Sequence, residues 1–271
     1  MEKIRHLQSW EEFETALSDL RRSAPRPADL LFRGQADASK SLSTTLERDV
    51  KNSLTIFEYY RSSYIAKPQI EAFTGIKWEA PDLKEINNFC TTYDALSLKQ
   101  LPAYPYLAYL RHYGFPSPLL DWSESPYVAA YFAFRRPSPT GHAIYAYSEM
   151  GKAGKSRDGG QSEIYGLGPT ISAHKRHFLQ KSQYTICVQF EHDSEKGAEW
   201  RFANHDGVFY RDEPEQDILT KFVIQESERA RVLKKLDDYN LNALSLFGSE
   251  ESLMETMAAR LFNFETGFAE A

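Results

Sequence analysis

Residues 119–134, LLDWSESPYVAAYFAF, constrain the fold more than any other stretch of the chain. An apolar run, Leu119-Leu120, breaks at an acidic, aromatic and hydroxyl cluster, Asp121-Trp122-Ser123, and restarts behind Ser125-Pro126 as a small-residue, aromatic run. Serine is a favoured N-cap and proline a favoured first helical residue, so the stretch reads as a strand end, a tight turn and a helix from Tyr127 to Phe134. A turn of this kind exposes the backbone N–H groups of the first helical turn, and the hydroxyls of Ser123 and Ser125 add donors, which makes it a sensible place for a phosphate. An ordinary capped helix accounts for the same residues.

The pattern on either side predicts an α+β fold. Ser9-Trp10-Glu11-Glu12 is a capping-box signature, and Trp10, Phe13, Leu17 and Leu20 follow at helical spacing, giving an amphipathic helix over 9–22 that stops before Pro25. Leu30 to Gln35 reads as a short buried strand ending at Arg33-Gly34. Between Phe57 and Leu110 the apolar spacing is helical, with expected breaks at Pro68, Gly75, Pro81, Pro102 and Pro105. Strand-like runs follow at Ala143 to Tyr147, Tyr184 to Phe190, Trp200 to Ala203, Val208 to Tyr210 and Ile218 to Ile224, and Met150 to Gln161 reads as an exposed loop. Helices return over 227–262, with Val232, Leu233, Leu236 and Tyr239 on one apolar face and Leu253, Met254, Met257 and Leu261 on another. Helices first and strands mainly later favour a compact mixed or antiparallel sheet core with flanking N- and C-terminal helices, as one domain over 1–271, rather than a doubly wound sheet.

Composition narrows the function classes. A net charge of −6 argues against general nucleic-acid wrapping, although a local basic patch is compatible with it. The two cysteines, Cys90 and Cys187, have no Cys-x-x-Cys or His/Cys ligand spacing, so neither a disulfide framework nor a metal site is indicated. No signal peptide and no run of about 18 apolar residues is visible, which points to a cytoplasmic protein without a membrane partner.

Four groups of residues carry candidate chemistry. Asp121-Trp122-Ser123 with Ser125 is the first. Arg33 with Gly34 is the second: a guanidinium fork at a strand end suits phosphate or carboxylate, and a structural salt bridge to Asp121 competes with that account. The third is His174-Lys175-Arg176-His177 with Gln180 and Lys181, the densest basic stretch, in which Lys175, Arg176 and Lys181 are candidates for nucleic-acid phosphates, although charge statistics alone favour a solvated face. The fourth is Glu199, a strand carboxylate able to act as a general base or to form a cross-strand ion pair. No Gly-x-Ser-x-Gly, Walker or Rossmann loop is present.

At these residues the sequence resembles the FRG-domain family, named for a Phe/Tyr-Arg-Gly motif, here Phe32-Arg33-Gly34-Gln35. Arg111-His112-Tyr113-Gly114-Phe115-Pro116 running into Leu119-Leu120-Asp121-Trp122-Ser123 and Ser125-Pro126 is similar to the family's longest block, with Arg111 where Gln is more usual. Arg176 to Gln180 followed by Tyr184-Thr185 resembles its Arg-x-x-x-Gln block, and Ser245-Leu246-Phe247 its closing helical region, so the resemblance runs from about 30 to 260.

The family's pattern is similar to that of ADP-ribosyltransferases, and members are associated with bacterial toxin and anti-phage defence settings. The resemblance implies an ADP-ribosyltransferase-like core with Arg33 as first catalytic element, Ser123 as second, and Gln180 or Glu199 as third. It implies NAD as co-substrate, held by Arg33, Gly34, Asp121 and Ser125, with Tyr113, Trp122 and Tyr127 as candidates to stack on nicotinamide. The acceptor would be RNA, favoured by the basic stretch, or DNA or protein, and an antitoxin or chaperone is a further implied partner. A non-catalytic nucleotide- or protein-sensing module is the alternative.

Overall fold

The computed structural model describes residues 3–50, 54–93, 100–150, 155, 160–168, 175–193, 197–209 and 216–264. A mixed eight-stranded sheet organises the chain, in the order β1-β8-β4-β2-β3-β6-β5, with β7 also paired to β6. The strands are β1 (Lys3–Leu7), β2 (Leu31–Gln35), β3 (Leu120–Ser123), β4 (His142–Met150), β5 (Glu163–Gly166), β6 (Ser182–Asp193), β7 (Gly197–Phe202) and β8 (Gln216–Ile224). The β1–β8 pair is parallel and the others are antiparallel. An α+β class with a mixed sheet is therefore what the chain adopts.

Period-2 alternation sorts side chains between two faces. Phe32, Ile144, Ala146 and Phe222 meet α1 (Trp10–Ser23), α6 (Pro126–Phe134), α9 (Arg229–Asp238) and α10 (Ala243–Phe247) on one face. Leu31, Tyr145, Tyr147 and Leu219 face the other way, with Trp122, Val208 and Phe209. A third cluster packs α3 (Ile56–Thr74), α4 (Leu83–Thr91) and α5 (Tyr104–His112) on Tyr184, Ile186, Val188 and Trp200 of β6 and β7. Short helices α2 (Thr45–Asp49), α7 (Lys175–Leu179) and α8 (His205–Phe209) and the C-terminal α11 (Glu250–Ala258) complete the described α-helices.

Local rules explain where most elements start. Ser9 caps α1 by accepting from Glu12 N, and Ser125 caps α6 by accepting from Val128 N. Four sequence expectations are corrected. First, Pro68 does not break α3: Thr55 and Glu58 form a capping box, Gly75 closes the far end at φ 71°, and Ile56, Tyr59 and Tyr60 bury their faces. Those contacts outweigh the hydrogen bond that proline cannot give.

Second, Val208 to Phe209 is helical rather than extended, because His205, Val208 and Phe209 are buried at i, i+3 and i+4; Tyr210 lies outside the described residues. Third, α11 does not bury its apolar stripe. Met254 is 62% exposed, whereas Ser252 and Thr256 are buried. Polar contacts fix its rotation: Thr256 Oγ1 accepts from Leu244 N at 3.0 Å and Glu255 pairs with Arg135 Nε at 2.7 Å. Fourth, strands β1 and β5 are not anticipated by the pattern, because β1 is an edge strand exposed over most of its length and β5 has four residues. Most of the 150–161 loop lies outside the described residues.

Candidate functional site

A cleft of about 300 Å³ opens where β2, β3 and the start of β6 meet α5, α6, α7 and α10. Strand β2 contributes Arg33 and Gly34, β3 contributes Asp121, Trp122 and Ser123, and the end of α5 contributes Arg111 and His112. Arg176 comes from α7, Gln180 from the turn after it, and Phe247 from α10. Antiparallel pairing creates the meeting point: Phe32 lies opposite Ser123, Ser123 opposite Ser182, and Asp121 opposite Tyr184. Residues 150 positions apart thus share one wall only through strand register.

The charges are arranged around Asp121. Arg111 Nη2 lies 2.6 Å from Asp121 Oδ2. Arg33 Nη1 donates to the Asp121 main-chain oxygen at 2.8 Å and is 4.0 Å from the carboxylate. Both readings of Arg33 therefore meet in one side chain: it is part of an ion-pair cluster and it lines the cleft. Burial pulls the Arg33 guanidinium down to about 10, Asp121 opposing the effect while Arg111 and Arg48 add to it. The Nε atoms of Arg33 and Arg111 and Asp121 Oδ1 are buried without a hydrogen-bond partner among the described residues. All three atoms belong to side chains that line the cleft, and each calls for an explanation.

Ser123 and Gln180 form the second wall. Ser123 Oγ donates to Gln180 O at 2.7 Å and accepts from Ser125 N at 3.0 Å, so one hydroxyl ties β3 both to the start of α6 and to the turn before β6. The Gln180 amide nitrogen donates to Leu246 O at 3.1 Å, leaving the amide oxygen uncommitted by that contact. His112 Nε2 and the Tyr184 hydroxyl are 2.7 Å apart, and His177 Nδ1 lies 3.4 Å from the same hydroxyl. Burial raises the Tyr184 phenol well above its ordinary value, so it keeps its proton.

Several predicted residues sit elsewhere. Glu199 is on β7 opposite Glu191, 3.5 Å from Arg201, and does not line the cleft. Tyr127 packs on Trp10, ring centroids 6.2 Å apart. Trp122 does border the cleft, but its ring stacks on Tyr147 at 5.0 Å and its Nε1 donates to Thr185 Oγ1 at 2.9 Å. That hydroxyl contacts His205 Nε2 at 3.2 Å, whose Nδ1 meets Glu47 at 2.8 Å, so a buried polar chain locks the indole in the core. Ser125 caps α6 without lining the cleft, and α6 presents its flank there, Ala129 and Phe132, rather than its N-terminus.

A Cβ at Gly34 would lie 1.8 Å from Ala129 O. The glycine therefore admits the α6 backbone against β2, whereas the family resemblance implied a place in holding NAD. Tyr113 stands at the rim, half exposed, under the Arg176 guanidinium at 5.6 Å. Lys175 and Lys181 are exposed at either end of α7, and His174 lies outside the described residues.

Sequence reasoning missed Arg111 and His112 as cleft residues and assigned Arg176 only to the nucleic-acid patch. The Arg-His pair in the block before Leu119 was the available signal. Among the described residues, no group of three or more His, Cys, Asp or Glu is placed to hold a metal ion, and no helix is long and apolar enough to cross a membrane.

Fold and site define an α+β protein with an arginine-lined cleft at the ends of its central strands. The FRG domain family model matches residues 28–141, and the chain carries an FRG domain over that span. The span includes Arg33, Arg111, Asp121 and Ser123; Arg176, Gln180 and Phe247 lie beyond it. No curated protein and no solved structure matches the chain.

Proposed function

We propose that the cleft binds NAD and that the protein transfers ADP-ribose to a macromolecular acceptor, RNA in the first instance, as a cytoplasmic toxin or antiviral defence effector. The observation that carries this reading is convergence. Arg33, Ser123 and Gln180, matched by motif to the three elements of an ADP-ribosyltransferase pattern, line one cleft with Arg111 and Arg176. Three guanidiniums against one carboxylate suit a diphosphate, which arginine forks bind in bidentate fashion. A volume of about 300 Å³ is at the small end for ligand pockets, so it fits a diphosphate with one adjoining nucleoside.

NAD, when bound, supplies a ribosyl–nicotinamide bond that breaks with positive charge developing on the ribose. The Gln180 amide oxygen suits stabilisation of that charge, as an oriented dipole in a water-poor site. An amide does not take up a proton, so the acceptor's proton needs another base, and His112 lines the same cleft.

The test is to incubate the protein with NAD labelled on its adenylate part and, separately, RNA, DNA and protein from cells, beside Arg33→Ala and Arg33→Lys. Transfer of label into one pool, lost in both variants while they remain folded, supports the reading. Absence of both transfer and nicotinamide release sinks it. The position of Glu199 outside the cleft favours a second reading, a non-catalytic nucleotide sensor; it is the better account if NAD binds, Arg33→Ala weakens that binding, and no turnover occurs.

A further inference from the structure

The rim of the cleft carries an aromatic run that the proposed chemistry does not use. Tyr109 and Tyr113, four residues apart at the end of α5, have ring centroids 4.4 Å apart, and Tyr109 lies 4.6 Å from Trp78. Trp78 rests in turn on buried Tyr106 at 5.3 Å. At the other end the Arg176 guanidinium, which lines the cleft, covers the Tyr113 ring at 5.6 Å. Three rings thus lead away from the cleft, beginning under one of its arginines.

The surroundings are cationic although the chain is acidic overall. Lys77, 78% exposed, follows the backbone into Trp78, and Lys175 precedes Arg176. Lys181 follows two residues after the end of α7. Of the acidic neighbours, Glu71 is held by Lys67 at 2.7 Å, by Trp78 N at 3.0 Å and by Lys77 at 3.4 Å, Glu251 faces Arg176, and Glu79 is exposed next to Trp78 in the chain. Tyr113 is exposed and Tyr109 and Trp78 are partly so; rings edged by cations suit flat, unstacked bases on a phosphate backbone, whereas a duplex keeps its faces stacked and out of reach.

We propose that Tyr113, Tyr109 and Trp78, with Arg176, form a stacking track for single-stranded nucleic acid that delivers the acceptor to the cleft. Binding to the track stands independently; its role in delivering an acceptor rests on the transferase reading.

The test is fluorescence anisotropy with labelled single strands of RNA and DNA of about 12 nucleotides, and the matching duplexes. Wild type is compared with Tyr113→Ala and Tyr113→Phe. Single strands are expected to bind more tightly than duplex, and the RNA and DNA arms show which is preferred. Tyr113→Ala weakens binding about ten-fold or more, whereas Tyr113→Phe, which keeps the ring, stays near wild type. Because Tyr113 is half exposed, its alanine variant is expected to fold. Equal binding of duplex, no binding of single strands, or no effect of Tyr113→Ala overturns the track. Intact strand binding with neither ADP-ribose transfer to any pool nor nicotinamide release sinks the transferase reading and leaves the track standing, and label entering protein alone overturns the delivery role.

Discussion

The Arg111 guanidinium lies 2.6 Å from the Asp121 carboxylate, while Arg33 reaches the same residue through its main-chain oxygen at 2.8 Å. One aspartate is therefore gripped at two atoms by arginines from two elements, and the wall of the cleft is set by that pairing. Both arginine side chains are largely covered and Asp121 is one-third exposed, so the ion pair is partly screened.

Asp121→Asn is expected to cost about 1–2 kcal/mol in urea unfolding, since it removes the charge pairing while keeping the shape. Arg33→Ala strands a main-chain oxygen and costs about 1–3 kcal/mol, and Arg33→Lys does not restore anion affinity because an ammonium lacks the fork. Isothermal titration with pyrophosphate on the folded variants separates the two effects.

Gly34→Ala places a methyl group 1.8 Å from Ala129 O and 2.5 Å from Ala133 N. Both are backbone atoms of α6, so no rotamer change relieves the clash. Destabilisation of at least about 3 kcal/mol, or failure to fold, is expected by circular dichroism. A variant with wild-type stability would show that α6 does not sit directly on β2.

Glu71 joins the end of α3 to Trp78. The side-chain hydrogen bond from Lys67, followed by that from Trp78 N, holds its carboxyl at about 2 against an ordinary value of 4.5. A carboxylate with a depressed folded value stabilises above the unfolded value and loses that contribution as pH falls through the folded one. Acrylamide quenching of Trp78 should therefore rise between about pH 4.5 and 2 in the wild type, and Glu71→Gln should show that quenching already at pH 7. Trp10, Trp122 and Trp200 are deeply buried and contribute little to it.

Cys90 and Cys187 are both buried, and burial pushes the Cys90 thiol up to about 12. Neither is expected to react with a thiol-specific disulfide reagent in the native state, because the thiolate is the reactive form. Two equivalents should react in denaturant. Rapid native labelling of one equivalent would place a thiol at the surface.

Helix α11 provides the converse test. Met254→Ser is expected to change stability by less than about 0.5 kcal/mol, whereas Glu255→Ala, which unpairs Arg135, costs about 1–2 kcal/mol. The reverse ranking in thermal melts would restore the buried apolar stripe suggested by the sequence.

What the chain determined by itself was local. Ser9 and Ser125 start helices because their hydroxyls satisfy N–H groups three residues away, and β2, β4, β6 and β8 announce themselves by alternation or unbroken apolar runs. Arg33 stood out because an arginine ending a buried strand needs a partner. Tertiary structure decided which of these residues meet. Sheet register, set by pairs such as Asp121 with Tyr184, brought Gln180 to the cleft and carried Glu199 away from it. Side-chain contacts from distant elements turned α11 by its Thr256 and Glu255, kept α3 helical through Pro68, and fixed Trp122 through Thr185, His205 and Glu47. Local pattern reports the energy of neighbours within about a turn, whereas a cleft is the product of long-range pairing.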